Sequence, residues 1–310
     1  MKIKYQDVDI TDSVTVNACV GDSYYSGHAD TLRVEFQDTD SRWDAWAPKV
    51  GDRIEAYDEN QTTGRLFVRR LHPEVGKLTI YAASIPAEAD TKRDQSWEQT
   101  SKAILVGDIA KKYGLAANLI YATDRIWKDL KQDNISDFDL LEDLCRLEGD
   151  AFNVFNGVLT VYNIEKMAAG AEKAKVNVRA SADNSTGDNA TGAFGYDRGK
   201  TYDGCLLRAA GETYSYNAAG SSVYEAMTDY PIGSIGEGIS AAKCLMQEKN
   251  REAQSGFFYA SPLPAGYTAG SIITLATAGA SSYNGTALIT HMRCDYKSRK
   301  AKAFFSSLEE

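Results

Sequence analysis

The chain has 310 residues, a formal net charge of −9, 43% hydrophobic and 25% charged residues. These values are ordinary for a globular protein, and the length predicts two or three domains. The acidic balance argues against nucleic acid or an anionic membrane as the main partner, since both favour a basic surface. No apolar run approaches the ~20 residues of a membrane span, and the N-terminus lacks the apolar core of a signal peptide. We therefore expect synthesis in the cytoplasm and no membrane anchor.

Residues 1–85 are predicted to be rich in β-strands. Leu32, Val34 and Phe36 alternate with polar residues, which is the pattern of a half-buried strand. Trp43 and Trp46 lie three residues apart, so a short helix would place them on one face. Residues 49–57 are expected to form a turn that leads into a strand, and two further strands are expected at 64–71 and 77–82, separated by a turn at 73–76. Many short strands separated by turns predict a small barrel or sandwich.

Residues 86–165 mix helix and strand. A helix is predicted at 101–113, with Ile104, Leu105, Ile109 and Tyr113 forming its apolar stripe and Gly114 ending it.

The segment 132–163 is predicted to form a helix followed by a hairpin. Ser136 is a suitable N-cap, and Asp139 places a carboxylate in the first turn, where backbone N–H groups lack partners. Gly149 stands where a left-handed residue would end the helix. Strands at 151–155 and 158–162 are joined by Asn-Gly, a strong hairpin signal because both turn residues require positive φ. The apolar stripe of the helix comprises Phe138, Leu141, Leu144, Cys145 and Leu147.

The last part of the chain changes in composition and then returns to strands. Residues 166–200 are rich in Ala, Gly, Ser, Thr and Asn, which favours a linker and an exposed loop with one strand at 175–179. After a strand at 202–209, a hairpin of 212–216 with 223–227 is predicted. A helix at 238–254, with Ile239, Ala242, Leu245 and Met246 on one side, is expected to end at Gly256. Strands are predicted at 270–277, 287–296 and 302–306.

No pattern in the sequence indicates a catalytic, cofactor-binding or metal site. The three histidines share no motif, and the five cysteines lie far apart without metal-binding spacing. Cys205 and His291 are a conceivable nucleophile and base, but nothing near Cys205 predicts a lowered pKa. The acidic pairs Glu142/Asp143 and Glu309/Glu310 read as solvated charges. We expect reduced packing cysteines and no enzymatic activity; the residues concerned are His28, His72, His291, Cys19, Cys145, Cys205, Cys244 and Cys294.

Three parts of the chain carry residues in the pattern of one known family. The helix and hairpin have Gln132, Ser136, Asp137, Phe138, Leu141, Leu144, Arg146, Glu148, Gly149, Gly157 and Leu159. The preceding segment has Trp97, Thr100, Ile109, Ala110, Gly114 and Leu115. The outer parts have Pro48, Gly51, Asp52, Gly64, Val68, Leu78, Ile80, Ala82, Tyr202, Asp203, Gly256, Phe257, Ala269, Gly270, Ile273, Leu275, Ile289 and Met292. In these residues the chain resembles the baseplate hub proteins of contractile tails, the phage late control protein D family, and the related hub part of the VgrG spikes of type VI secretion.

This resemblance implies an α+β fold, mainly β, in which two tail-tube-like β-barrel domains are joined by a small α+β domain. The implied boundaries are 1–85 for the first barrel, 86–168 for the middle domain and 169–310 for the second barrel. The implied function is a structural baseplate hub in a virion or phage-tail-like particle, as a homotrimer that joins the tail tube protein to a central spike protein. Tape-measure and baseplate wedge proteins are further expected partners, and no cofactor is expected. The alternatives are a tail-associated cell-wall hydrolase and a receptor-binding tail module.

Overall fold

The computed structural model describes residues 1–170, 173–179, 189–197, 199 and 201–308. These residues form an α+β fold that is mainly β. The strands are β1 Lys2–Tyr5, β2 Val8–Asp9, β3 Thr15–Tyr24, β4 Thr31–Gln37, β5 Arg53–Tyr57, β6 Leu66–Glu74, β7 Lys77–Ala83, β8 Arg93–Ser101, β9 Ala116–Ile120, β10 Ile126–Ile135, β11 Asp150–Phe155, β12 Val158–Asn163, β13 Ala174–Arg179, β14 Asn189–Tyr196, β15 Gly204–Ala209, β16 Glu212–Tyr216, β17 Val223–Thr228, β18 Gln254–Ala260, β19 Ile272–Thr277, β20 Gly285–Asp295 and β21 Lys300–Ser307. The helices are α1 Arg42–Trp46, α2 Lys102–Lys112, α3 Asp137–Leu147, α4 Ile164–Gly170 and α5 Ile235–Arg251. None of the described helices is both long and apolar enough to cross a membrane.

A single 13-stranded sheet contains both barrels. Its order is β19-β13-β14-β18-β21-β20-β3-β4-β7-β6-β5-β1-β2, and an additional β19–β20 pairing closes the second barrel. The first barrel comprises β1 to β7. Strand β2 is the last strand in the sheet order and therefore lies at the open end of the sheet. Buried apolar residues from Ile3 to Phe305 form one cluster through both barrels. The predicted fold class is therefore confirmed.

Strand β20 joins the two barrels because its two halves have different partners. Its first half pairs with β19, from Gly285 opposite Leu275 to Leu288 opposite Ile272. Its second half pairs antiparallel with β3 of the first barrel, from His291 opposite Tyr24 to Asp295 opposite Val20. Strand β21 lies along its other edge. The backbone hydrogen bonds of one long strand thus hold the two barrels side by side.

The middle region packs two helices against small sheets. Strands β11 and β12 form the predicted hairpin, with β9 parallel to β12, and β8 pairs with β10 in a separate ribbon. Ser136 accepts a hydrogen bond from the Asp139 backbone N–H, and the Asp139 carboxylate accepts one from the Ser136 N–H. This reciprocal arrangement is a capping box. The turn residues Asn156 and Gly157 have φ of 49° and 78°, as predicted for this hairpin.

A second small sheet with its own helix interrupts the strands of the second barrel. Strand β15 lies in the middle, antiparallel to β16 and parallel to β17. Helix α5 covers this sheet, and Leu147 of α3 belongs to the same buried cluster. The predicted hairpin of 212–216 with 223–227 is wrong, because both strands pair with β15 and not with each other. A local sequence pattern could not reveal that β17 pairs with β15 in parallel, because a parallel strand reaches its partner only through a crossover connection.

Three further predictions about local structure need correction. The stretch 166–200 is more than a linker, since β13 and β14 lie in the sheet of the second barrel, with part of the stretch outside the described residues. Helix α5 begins three residues earlier than predicted, with Ser234 as N-cap, and Gly256 lies within β18 instead of ending the helix. Ile104 and Ile239, both predicted to face the core, are 54% and 38% exposed.

The division of the chain into domains remains a proposal. We propose the boundaries 1–85, 86–168 and 169–310, with residues 201–251 as an insertion within the third part. The insertion is proposed because its strands lie outside the 13-stranded sheet.

Candidate functional site: a groove between two strand edges

A groove of about 1280 Å³ lies between β10 and β17. One wall is the whole length of β10, and the other is β17 with the residues that follow it to Ile232. The floor comes from α3 and α5, through Asp143, Arg146, Leu147 and Leu245. The groove therefore lies where the middle region meets the inserted sheet.

The local sequence explains why β10 stands at the edge of this groove. Trp127, Leu130 and Gln132 are buried, whereas the residues between them face solvent. The buried side chains hold the β8–β10 ribbon against the core of the middle region, where Trp127 and Leu130 pack. The outward side chains include Lys128 and Asp129, so the exposed face of the strand carries charges of both signs.

Ion pairs and hydrogen bonds position the ends of the groove. Arg125 forms an ion pair with Glu237 at 2.9 Å and donates a hydrogen bond to the Pro231 carbonyl at 2.7 Å. Arg146 donates from Nε to Glu248 at 2.8 Å. These contacts connect the middle region to the inserted sheet and helix across the groove.

The neighbouring carboxylates Glu142 and Asp143 differ from the sequence prediction of fully solvated helix charges. Both are half-buried, and burial raises the pKa of each above its ordinary value. The Tyr230 hydroxyl donates a hydrogen bond to Asp143 at 3.2 Å. Tyr230 is 87 residues away in the chain, so no local pattern could have indicated this burial. The second predicted acidic pair, Glu309 and Glu310, lies outside the described residues.

A buried ion cluster lies within the middle region. Lys102 Nζ contacts Asp150 Oδ2 at 2.6 Å and also pairs with Glu148, and all three residues are largely inaccessible to water. Asp150 also accepts hydrogen bonds from the Thr123 N–H at 3.0 Å and from the Asn163 amide at 2.8 Å. Because opposite charges are in contact and both Asp150 oxygens accept hydrogen bonds, the cluster fixes the start of α2 against the turn between α3 and β11.

The structure separates the histidine and cysteine that were weighed as a nucleophile and base. Cys205 is fully buried in the inserted sheet, and burial raises its pKa to about 11, which disfavours the nucleophilic thiolate. His291 lies on β20, 2.8 Å from Asp22 and stacked between Tyr24 and Phe304.

The remaining cysteines and histidines also serve packing and surface contacts. Burial raises the pKa of Cys19, Cys145 and Cys294 to about 12 and that of Cys244 to about 11. His72 contacts Glu74 at 3.1 Å on the surface, and the His28 ring lies against Tyr24. Among the described residues, no group of three or more His, Cys, Asp or Glu side chains has metal-binding geometry.

Solved structures from phage tails share the whole architecture of this chain. A tail protein from Neisseria meningitidis MC58 aligns with a TM-score of 0.75 at 10% identity, over 99% of this chain and 95% of that one. A 43 kDa tail protein of prophage MuSo2 from Shewanella oneidensis aligns with a TM-score of 0.71 at 11% identity, over 98% of this chain and 97% of that one.

A component of a bacterial secretion system has a similar fold. This Escherichia coli protein of the type VI secretion system, itself described as similar to T4 bacteriophage tail proteins, aligns with a TM-score of 0.61 at 10% identity. The alignment covers all of this chain and 78% of that one. No protein-family model and no curated protein matches the chain. At such low identities the similarity establishes a shared fold: the chain has the architecture of phage tail proteins.

Proposed function

We propose that the chain is a structural baseplate hub of a phage or phage-like contractile tail, and that it is not an enzyme. The observation that carries this proposal is the presence of two barrels in one chain, joined edge to edge through β3 and β20. Three copies would supply six barrels, which suits a ring that ends a six-fold tube and offers three-fold symmetry to a spike. The tail proteins with the same fold support this role.

The open end of the 13-stranded sheet supports assembly with other copies. Strand β2 has no second neighbour among the described residues, and its Val8 side chain is 62% exposed. An uncovered strand edge with an apolar side chain is an aggregation hazard unless a partner covers it. In the proposed homotrimer, the next copy covers this edge, while the tail tube protein and the spike protein bind the two faces of the ring. Tape-measure and baseplate wedge proteins are further proposed partners, and the proposed location is the baseplate of the assembled particle.

The native mass of the purified protein tests this proposal. Light scattering is expected to give about three times the 33.9 kDa chain mass, with a further increase when the spike protein of the same particle is added. Val8→Lys is expected to lower the trimer fraction, whereas Val75→Lys, in the exposed turn between β6 and β7, is the matched control.

A different result would overturn the hub assignment. A monomer that also fails to add to preformed tail tubes, as seen by negative-stain electron microscopy, would contradict it. Clearing of peptidoglycan in zymography would favour the hydrolase alternative, and binding of the isolated chain to host cells would favour the receptor-binding alternative.

A further inference from the structure

The groove between β10 and β17 presents two strand edges without neighbours. Within the described residues, β10 pairs with β8 alone and β17 pairs with β15 alone. We propose that this groove binds an extended, basic segment of another protein, which adds as a strand to one or both edges. This proposal does not depend on the hub assignment, since it requires only the middle region and the inserted sheet of one copy.

The backbone of both walls is free to pair with such a segment. No described backbone hydrogen bond connects residues 126–133 or 223–228 to anything beyond β8 and β15. An edge strand offers a row of N–H and C=O groups that an added strand satisfies, which is a recurring mode of peptide recognition. The six residues of β17 span about 20 Å at ~3.3 Å per residue, enough for a segment of comparable length.

Apolar contacts are available on both walls and on the floor. Ile126 on β10 and Met227 on β17 are 69% and 81% exposed, and both line the groove. Leu147 and Leu245 contribute the apolar part of the floor. Because side chains alternate along a strand, a bound segment would direct every second residue toward this surface and the others toward the charged rim.

The charges of the groove favour a basic segment. Six acidic and four basic side chains line it: Asp129, Asp133, Asp143, Glu225, Asp229 and Glu237, against Arg125, Lys128, Lys131 and Arg146. Arg125 and Arg146 are already paired with Glu237 and Glu248. Asp133 and Asp229 are exposed and make no hydrogen bond or ion pair within the described part of the chain. Near the floor, burial raises the pKa of Asp143 above its ordinary value; the Tyr230 hydroxyl and Arg146 oppose this shift, and the carboxylates of Asp139 and Glu248 add to it.

Three synthetic peptides distinguish strand addition from nonspecific attraction. The first has eight residues that alternate valine with lysine, the second replaces each lysine with glutamate, and the third is the lysine peptide with every backbone nitrogen methylated. Fluorescence anisotropy with the full chain is expected to show binding of the lysine peptide. The glutamate peptide should bind at least about tenfold more weakly, a difference of about 1.4 kcal/mol. The methylated peptide should lose binding because it keeps the charge but lacks the strand donors.

Two pairs of charge reversals locate the site on the protein. The double variant Asp133→Lys with Asp229→Lys is expected to weaken binding of the lysine peptide about tenfold and to strengthen binding of the glutamate peptide, because the charge complementarity is inverted. Asp108→Lys with Glu212→Lys makes the same change in net charge at exposed positions outside the groove. This control pair should leave both affinities close to those of the unmodified protein.

Hydrogen exchange identifies the strands that pair. Added lysine peptide should slow amide exchange within 126–133 or 223–228. The proposal is overturned if the methylated peptide binds as well as its parent, if the control pair weakens binding as much as the groove pair, or if protection appears elsewhere. It is also overturned if those amides become protected without peptide as the protein concentration rises, since the occupant would then be a second copy of this chain.

Discussion

Replacing Lys102 with methionine is expected to destabilise the protein strongly. The Lys102 side chain is fully buried, with Nζ between Asp150, at 2.6 Å, and Glu148. Burial alone would lower the pKa of Lys102, but the surrounding negative groups, including Glu148 and Asp150, raise it above its ordinary value. Methionine fills a similar volume without charge, so Lys102→Met leaves two buried carboxylates uncompensated. Breaking a buried ion pair in this way costs about 3–5 kcal/mol.

The assay is urea unfolding followed by tryptophan fluorescence and circular dichroism. The triple variant Lys102→Met, Glu148→Gln and Asp150→Asn removes all three charges and is expected to recover part of the loss, because neutral side chains carry a smaller desolvation cost. Lys131→Met is the surface control; its side chain is 71% exposed and lies 3.8 Å from Asp129, so the expected change is within about 0.5 kcal/mol. A loss below about 1 kcal/mol for Lys102→Met, or a triple variant no more stable than the single one, would refute the reasoning.

Three other substitutions test separate features. Burial raises the pKa of Asp30 from 3.8 to about 7, so Asp30 ionises at lower pH in the unfolded chain, and the free energy of unfolding should fall as the pH rises from about 4 to 7. Since Asp30 is only partly buried, Asp30→Asn should remove about 2–3 kcal/mol of this decline, measured by unfolding at a series of pH values. An unchanged pH profile would contradict this prediction. Ser136→Ala removes the N-cap of α3 and should cost about 1 kcal/mol in urea unfolding; equal stability would argue against the capping box. Gly238→Ala should destabilise the protein although alanine favours helices, because the added Cβ atom would lie 2.0 Å from the Tyr214 ring. A raised melting temperature in calorimetry would show that the ring moves aside.

The sequence was most informative where structure is determined by neighbouring residues. The cap at Ser136, the left-handed Gly149 and the Asn156-Gly157 turn each depend on residues a few positions apart, and the structure confirms all three. The alternation in β4 likewise places Leu32 and Phe36 in the core.

Features that depend on distant partners could not be predicted in this way. Ile104 fits a helical apolar stripe, yet within the described part of the chain its side chain is 54% exposed. The groove is formed by β10 and β17, about 100 residues apart, and neither sequence shows that its outer edge is unpaired. Periodicity indicates which face of a strand is buried, whereas the choice of neighbours is made by the tertiary fold.

The dual pairing of β20 has a consequence for the order of folding during synthesis. Strand β3 pairs with β4, which follows it closely in the sequence, but its second neighbour exists only when residues 291–295 of β20 have been made. At roughly 5–20 residues per second, the ribosome needs tens of seconds to span that interval, and contacts so distant in sequence form slowly. The first barrel is therefore translated well before the strand that completes it, and one edge of β3 stays open to other nascent chains meanwhile.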